Sequence, residues 1–184
     1  MTTMTRTRSN ADLQQRLAAT RALSVALAGP LSDADASAQS MPDASPAKWH
    51  LAHTTWFLET FVLTGMPGYR VFDDRFGFLF NSYYDAVGAR QPRDRRGLLT
   101  RPSLDDVLAF RGHVDAAVER YWPHFDDGQR ALIELGINHE QQHQELLLTD
   151  ILDLFAANPL EPALFPALLP SLFREGLGDR KSVV

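Results

Sequence analysis

The 184-residue chain carries 45% hydrophobic and 22% charged residues with a formal charge of -5, a balance that suits one globular domain and excludes the basic face that nucleic-acid binding needs. It has no cysteine, so disulfides, thiolate ligands and cysteine nucleophiles are excluded, and a metal can be held only by His, Asp, Glu or backbone oxygen. The opening MTTMTRTRSN lacks an apolar signal core and no stretch reaches the roughly 18 apolar residues of a membrane helix, so a cytoplasmic location and no membrane partner are expected.

The first nine residues are expected to be disordered. A helix is predicted after Ser9 and Asn10, with Leu13, Leu17, Leu23 and Leu27 repeating at helical intervals until Gly29 and Pro30 end it. The small, polar segment that follows reads as a loop with room for a short helical turn. Ser45 and Pro46 then read as an N-cap followed by proline at the first helical position, opening a second helix that runs to Gly65. Residues 66–102 look irregular, rich first in aromatics and then in arginine, and a long ordered loop inside a small domain is expected to line a site. A third helix enters at Pro102 and Ser103, with Asp105 and Asp106 in its first turn, and closes at Pro123. The fourth and longest follows FDDG, carries Leu132, Leu135, His139, His143, Leu146 and Leu147, and breaks at Asn158 and Pro159. Four helical patterns without period-two alternation or internal repeats predict an all-α four-helix bundle over residues 10–160, with a long crossover between helices 2 and 3 and an irregular tail over 161–184.

The chemistry concentrates in HEQQH at 139–143. Two histidines four apart share a helix face and can chelate one cation, although the pattern alone does not name the metal. Read literally it is the zinc-protease signature, with Glu140 as general base. The downstream glycine and histidine of one protease class are replaced by Leu146 and Thr149, and no strand signal offers an edge to a peptide. The bland reading is a pair of half-buried histidines on an amphipathic helix. In helix 2, His50 and His53 lie one turn apart and compete as a third ligand.

SPAKWHLAHTTWFLE, followed by FNSYY, RRGLLTRPS and NHEQQHQELLLTDI, resembles the amino-terminal domain of ergothioneine-biosynthesis sulfoxide synthases, a DinB-like four-helix bundle, over residues 10–160. The resemblance implies non-haem Fe(II) bound by His53, His139 and His143. It further implies that Gln142 hydrogen-bonds the substrate imidazole and that Arg93 and Arg96 pair with the carboxylates of the thiol donor. The implied reaction is an O2-dependent joining of cysteine or γ-glutamylcysteine to the imidazole C2 of trimethylhistidine, an oxidoreductase activity. For Arg90, Arg93, Arg95, Arg96 and Arg101 a solvated basic loop is the competing expectation, and Tyr83 and Tyr84 are expected to pack rather than react. His50, His113 and His124 are expected on the surface or behind the ligands.

Those synthases continue into a second domain that resembles formylglycine-generating enzymes and completes the pocket. The expectation is therefore a chain that holds iron yet forms the sulfoxide only when complemented, for example by a separately encoded second domain. The alternatives are a stand-alone DinB-like thiol transferase or hydrolase using Zn(II) or another divalent ion with a bound water, and a bundle that functions only by association.

Overall fold

The computed structural model describes residues 2–82 and 88–165, with side chains from residue 11 onward. Its elements are α1 (Thr2–Ala28), α2 (Asp33–Ser37), α3 (Ala47–Leu58) continuing into a π-helical turn (Glu59–Leu63), α4 (Phe76–Phe80), a 3-10 turn (Arg93–Leu98), α5 (Leu104–Tyr121), a second 3-10 turn (Trp122–His124) and α6 (Asp127–Ala156). No strand occurs among the described residues, and none of their helices is long and apolar enough to cross a membrane. The chain is all-α, with α1, α3, α5 and α6 as the four long members of the bundle.

All twelve residues of α3 are buried, which a helix achieves only when neighbours cover every side of it. α1, α5 and α6 each pack against it, and α6 packs against α1 as well. Trp56, Leu51, Leu58 and the π-turn residue Leu63 meet Phe110 and Val114 of α5 and Ile133, Ile137 and Leu147 of α6 in one continuous core. Gly136 permits the tight approach of α6 to α3. A Cβ added there would stand 3.0 Å from Leu58 Cδ2 and 3.4 Å from Phe57 Cε1. Gly136→Val is therefore expected to lower stability by about 1–3 kcal/mol through overpacking, read as a lower midpoint in denaturant titration.

Three helix starts use reciprocal caps: Ser32 with Asp35, Ser103 with Asp106, and Asp126 with Gln129. The entries at Ser103 and after Phe125 follow the expected signals, whereas three other expectations need correction. Residues 2–9, expected to be disordered ahead of the helix, continue α1, since neither proline nor glycine interrupts residues 1–28. Pro46, not Ser45, occupies the N-cap of α3, and the Ser45 hydroxyl accepts a hydrogen bond from Arg96 instead. Leu23 and Leu135 fall outside the core at 50% and 53% exposure, because helix periodicity places them on the outer faces of α1 and α6. Among its described residues, the 66–102 crossover is irregular apart from α4 and the first 3-10 turn. Tyr83 and Tyr84 lie outside the described residues, as does the tail beyond residue 165.

Candidate metal centre

α3 is buried on all sides yet contains His50, His53, Thr54 and Thr55. Buried polar groups are retained where partners satisfy them. His53 donates from Nδ1 to the Phe80 carbonyl at 2.6 Å, so its Nε2 keeps the lone pair. Its ring stacks between two tryptophans, at 4.6 Å and 11° to Trp49 and at 5.5 Å and 16° to Trp56. Across from it, α6 contributes His139 and His143, one turn apart. The three ring centroids form a near-equilateral triangle, with sides of 4.9 Å (His53–His139), 4.8 Å (His53–His143) and 4.7 Å (His139–His143). One nitrogen from each ring lies within 4.8 Å of the other two.

The electrostatics keep these rings neutral. Burial, reinforced by the neighbouring His139 and Arg96, pushes His53 down to about 3. Burial likewise lowers His139, and burial with the facing His50, His53 and His139 lowers His143. Three neutral imidazoles converging on one point are a donor set for a divalent ion. Nδ1 of His139 is buried and has no hydrogen-bond partner among the described residues. A buried ring nitrogen without a partner is costly unless a ligand or ion takes it. The residues present therefore fit a bound metal.

His50, the competitor for the third position, is not part of the triangle. Its Nδ1 faces Nδ1 of His143 at 2.9 Å and its Nε2 faces Asp150 Oδ2 at 3.0 Å. It stands behind His143. His113 and His124 are exposed, in keeping with a surface placement.

The triangle opens into a cavity of about 260 Å³ lined also by Ser45, Trp49, Ser82, Arg93, Arg96 and Gln142. All three side chains singled out for substrate thus face the histidines. The arginine-rich loop divides: Arg95 is exposed, whereas Arg96 is buried and held by donation to Ser45 Oγ (2.9 Å) and Ser82 Oγ (3.2 Å). Its guanidinium carbon sits 3.4 Å from the centre of a Trp49 ring. A second cavity of about 310 Å³, lined by Ser82, Arg90, Gln91, Pro92, Arg93 and Arg96, adjoins the first. A larger cleft of about 610 Å³ between Phe72, Phe76, Arg101 and Asp106 shares no residue with the histidine cavity.

Sequence reasoning missed the residues that hold this loop. Gln39 donates from Nε2 to the carbonyls of Ala44 (2.8 Å) and Arg93 (2.9 Å) and accepts at Oε1 from the Gly97 amide (2.6 Å). Gly97 is the partner because a Cβ there would come within 2.6 Å of Gln39 Cβ. Asp150 and Ser45 were missed in the same way. The available signal was an acidic residue seven after His143, two turns along the same face of α6.

Glu140 does not face the metal triangle. It is 1% exposed and accepts from Arg21 Nη1 (3.0 Å), Arg111 Nη2 (2.7 Å) and Ser24 Oγ (2.6 Å). These partners hold its carboxylate well below the usual range, at about 2, despite the opposing effect of burial. Arg111 also donates to the Leu51 carbonyl, and Arg21 to Thr55 Oγ1 and the Asp115 carboxylate. The protease reading of HEQQH is corrected accordingly: a carboxylate neutralised by two guanidiniums in the core is no general base for a metal-bound water.

The model of the family described as the DinB superfamily matches residues 16–147, a stretch that includes every residue of the histidine triangle. No curated protein matches the chain.

Proposed function

Because the chain belongs to the DinB superfamily, by a match over more than half its length, we propose that it is the iron-binding domain of an ergothioneine-type sulfoxide synthase. The observation that carries this reading is a single cavity in which three neutral histidines face Gln142, Arg93 and Arg96. His53, His139 and His143 would hold the ion, leaving it open toward the cavity where the substrates would sit. Fe(II) bound there supplies the oxygen chemistry, in which one O2 and two substrates give a C–S bond, one oxygen on sulfur and one water.

The protein's own contribution is placement. Arg96, desolvated and fixed by two hydroxyls, presents its charge with little freedom left to lose, which favours pairing with a carboxylate of the thiol donor. Arg93, more exposed at the rim, pairs with a second carboxylate. Gln142, one turn beyond His139 on α6, lines the same cavity and in this reading hydrogen-bonds the substrate imidazole. Trp49 both stacks on His53 and carries Arg96, so ligand and carboxylate reader share one rigid ring. A formylglycine-generating-enzyme-like partner domain closes the open side of the cavity in this reading.

Anaerobic loading with Fe(II) and metal analysis test it directly. Wild type is expected to retain close to one ion per chain, and His53→Ala and His139→Ala to retain almost none. Binding unaffected by either change overturns the three-histidine centre. Tight Zn(II) binding with thiol-transfer turnover in the absence of O2 instead selects a stand-alone thiol transferase.

A further inference from the structure

Behind the triangle, a line of hydrogen-bonded polar groups runs from His143 to the buried His50 and on to Asp150. It follows from partner chemistry which atoms carry the hydrogens. Asp150 Oδ2 already accepts the Ser45 amide at 2.8 Å, and a carboxylate can only accept, so His50 Nε2 must donate to it across 3.0 Å. The His50 side chain is 4% exposed, and an imidazole that dry carries one hydrogen, so its Nδ1 is the acceptor. The hydrogen between the two rings must therefore sit on His143 Nδ1, across 2.9 Å. His143 is left with its lone pair on Nε2. The same result holds for His53, whose Nδ1 donates to a carbonyl that can only accept.

We propose that His50 and Asp150 are positioning residues for the metal centre, acting as a carboxylate–histidine relay that locks His143 in the tautomer offering Nε2 to the ion. The inference rests on the metal-centre reading above. It adds that one ligand is oriented by a second histidine in place of the usual carbonyl or carboxylate, with the carboxylate one step further back. The relay also ties the ligand to the start of α3. The Ser45 amide donates to Asp150, while the Ser45 hydroxyl accepts from Arg96. The anchor of the ligand and the anchor of the carboxylate-reading arginine are thus the same residue. Each step of the chain is nearly dry, with the His50 side chain 4% and the Asp150 side chain 12% exposed. Hydrogen bonds at that depth hold ring orientation more firmly than exposed ones do.

Two measurements on the full chain test the relay. In the metal-free protein, nitrogen-15 spectra of the histidine rings are expected to show His143 and His53 hydrogenated at Nδ1 and His50 at Nε2. A His143 ring hydrogenated at Nε2 overturns the assignment. Co(II) affinity by chelator competition, with the visible Co(II) spectrum as a second signal, is then compared for wild type, Asp150→Ala, Asp150→Asn and His50→Leu. Asp150→Ala and His50→Leu are expected to bind about 10–100-fold more weakly with an altered band. Asp150→Asn, whose amide oxygen can still accept from His50, is expected to stay within a few-fold of wild type. Unchanged affinity in Asp150→Ala overturns the relay, as does a loss that merely follows the melting temperature of the metal-free protein. Should His50→Leu fail to fold, Asp150→Ala and its asparagine rescue decide the matter. Absence of Co(II) binding by wild type overturns the metal centre itself, a different result from wild-type binding with indifferent variants.

Discussion

Glu140→Ala is expected to remove about 3–5 kcal/mol of folding stability, because it leaves two guanidiniums buried without their counter-charge. Arg21 and Arg111 have 4% and 2% side-chain exposure and cannot turn to solvent without opening the contacts among α1, α5 and α6. A cost of that size is a large part of the stability of a domain this small. The change reads as a fall in the denaturant midpoint, with little change in slope if unfolding stays two-state. Glu140→Gln is expected to lose much of the same stability, since the amide keeps an oxygen acceptor but offers its NH2 group to a guanidinium that can only donate. In whatever fraction folds, metal stoichiometry should match wild type. A Gln variant that folds well but binds no metal would return the glutamate to the metal centre. The contribution also carries a pH signature. The folded-state carboxylate lies at about 2, below its ordinary 4.5, so the stabilisation is present above 4.5 and is lost as pH falls from 4.5 towards 2.

A second large effect is acid lability of the metal-free protein, beginning well above the carboxylate range. His50, His53, His139 and His143 are all held below the ordinary histidine value of 6.5 by burial, His53 as far as about 3. As pH falls below 6.5, the unfolded chain takes up protons that the native rings refuse, and stability drops. Each imidazole that stays neutral contributes up to about 1.4 kcal/mol per pH unit to the slope until its folded-state value is reached. Unfolding followed by circular dichroism should therefore show a steep loss between pH 6.5 and about 4. His143→Gln should flatten the slope by about one proton. A metal-free protein equally stable at pH 7 and pH 5 would contradict the buried, neutral triangle.

Much of the scaffold is legible in the residues. Ser103 with Asp106 and the helix stops at Pro123 and Pro159 leave local marks, as does the four-residue repeat of His139 and His143, so helix positions and the histidine pair can be read directly. Choosing His53 over His50 by residue pattern alone is impossible, because they lie three apart on a helix buried all round, where periodicity marks no favoured face. Resemblance supplied that choice, and the Phe80 carbonyl gives its physical reason. The role of Glu140 was illegible for a different cause. Its partners Arg21 and Arg111 come from helices 119 and 29 residues away, and a local motif carries no information about them. Gln39 escaped notice for the same reason, its contacts with Arg93 and Gly97 bridging 54 and 58 residues.

The three clustered histidines stand on two helices packed directly on each other, whereas Arg93 and Arg96 sit on the crossover segment, fastened by Gln39 and Ser45 from outside it and by Ser82 within it. The two parts are nevertheless joined at Trp49, which stacks on His53 and carries Arg96. A change at residue 96 that empties one face of Trp49 is therefore expected to loosen the stack on His53 as well. Loop and helix contact thus constrain one another, so substitutions in either are expected to be accepted in concert rather than singly.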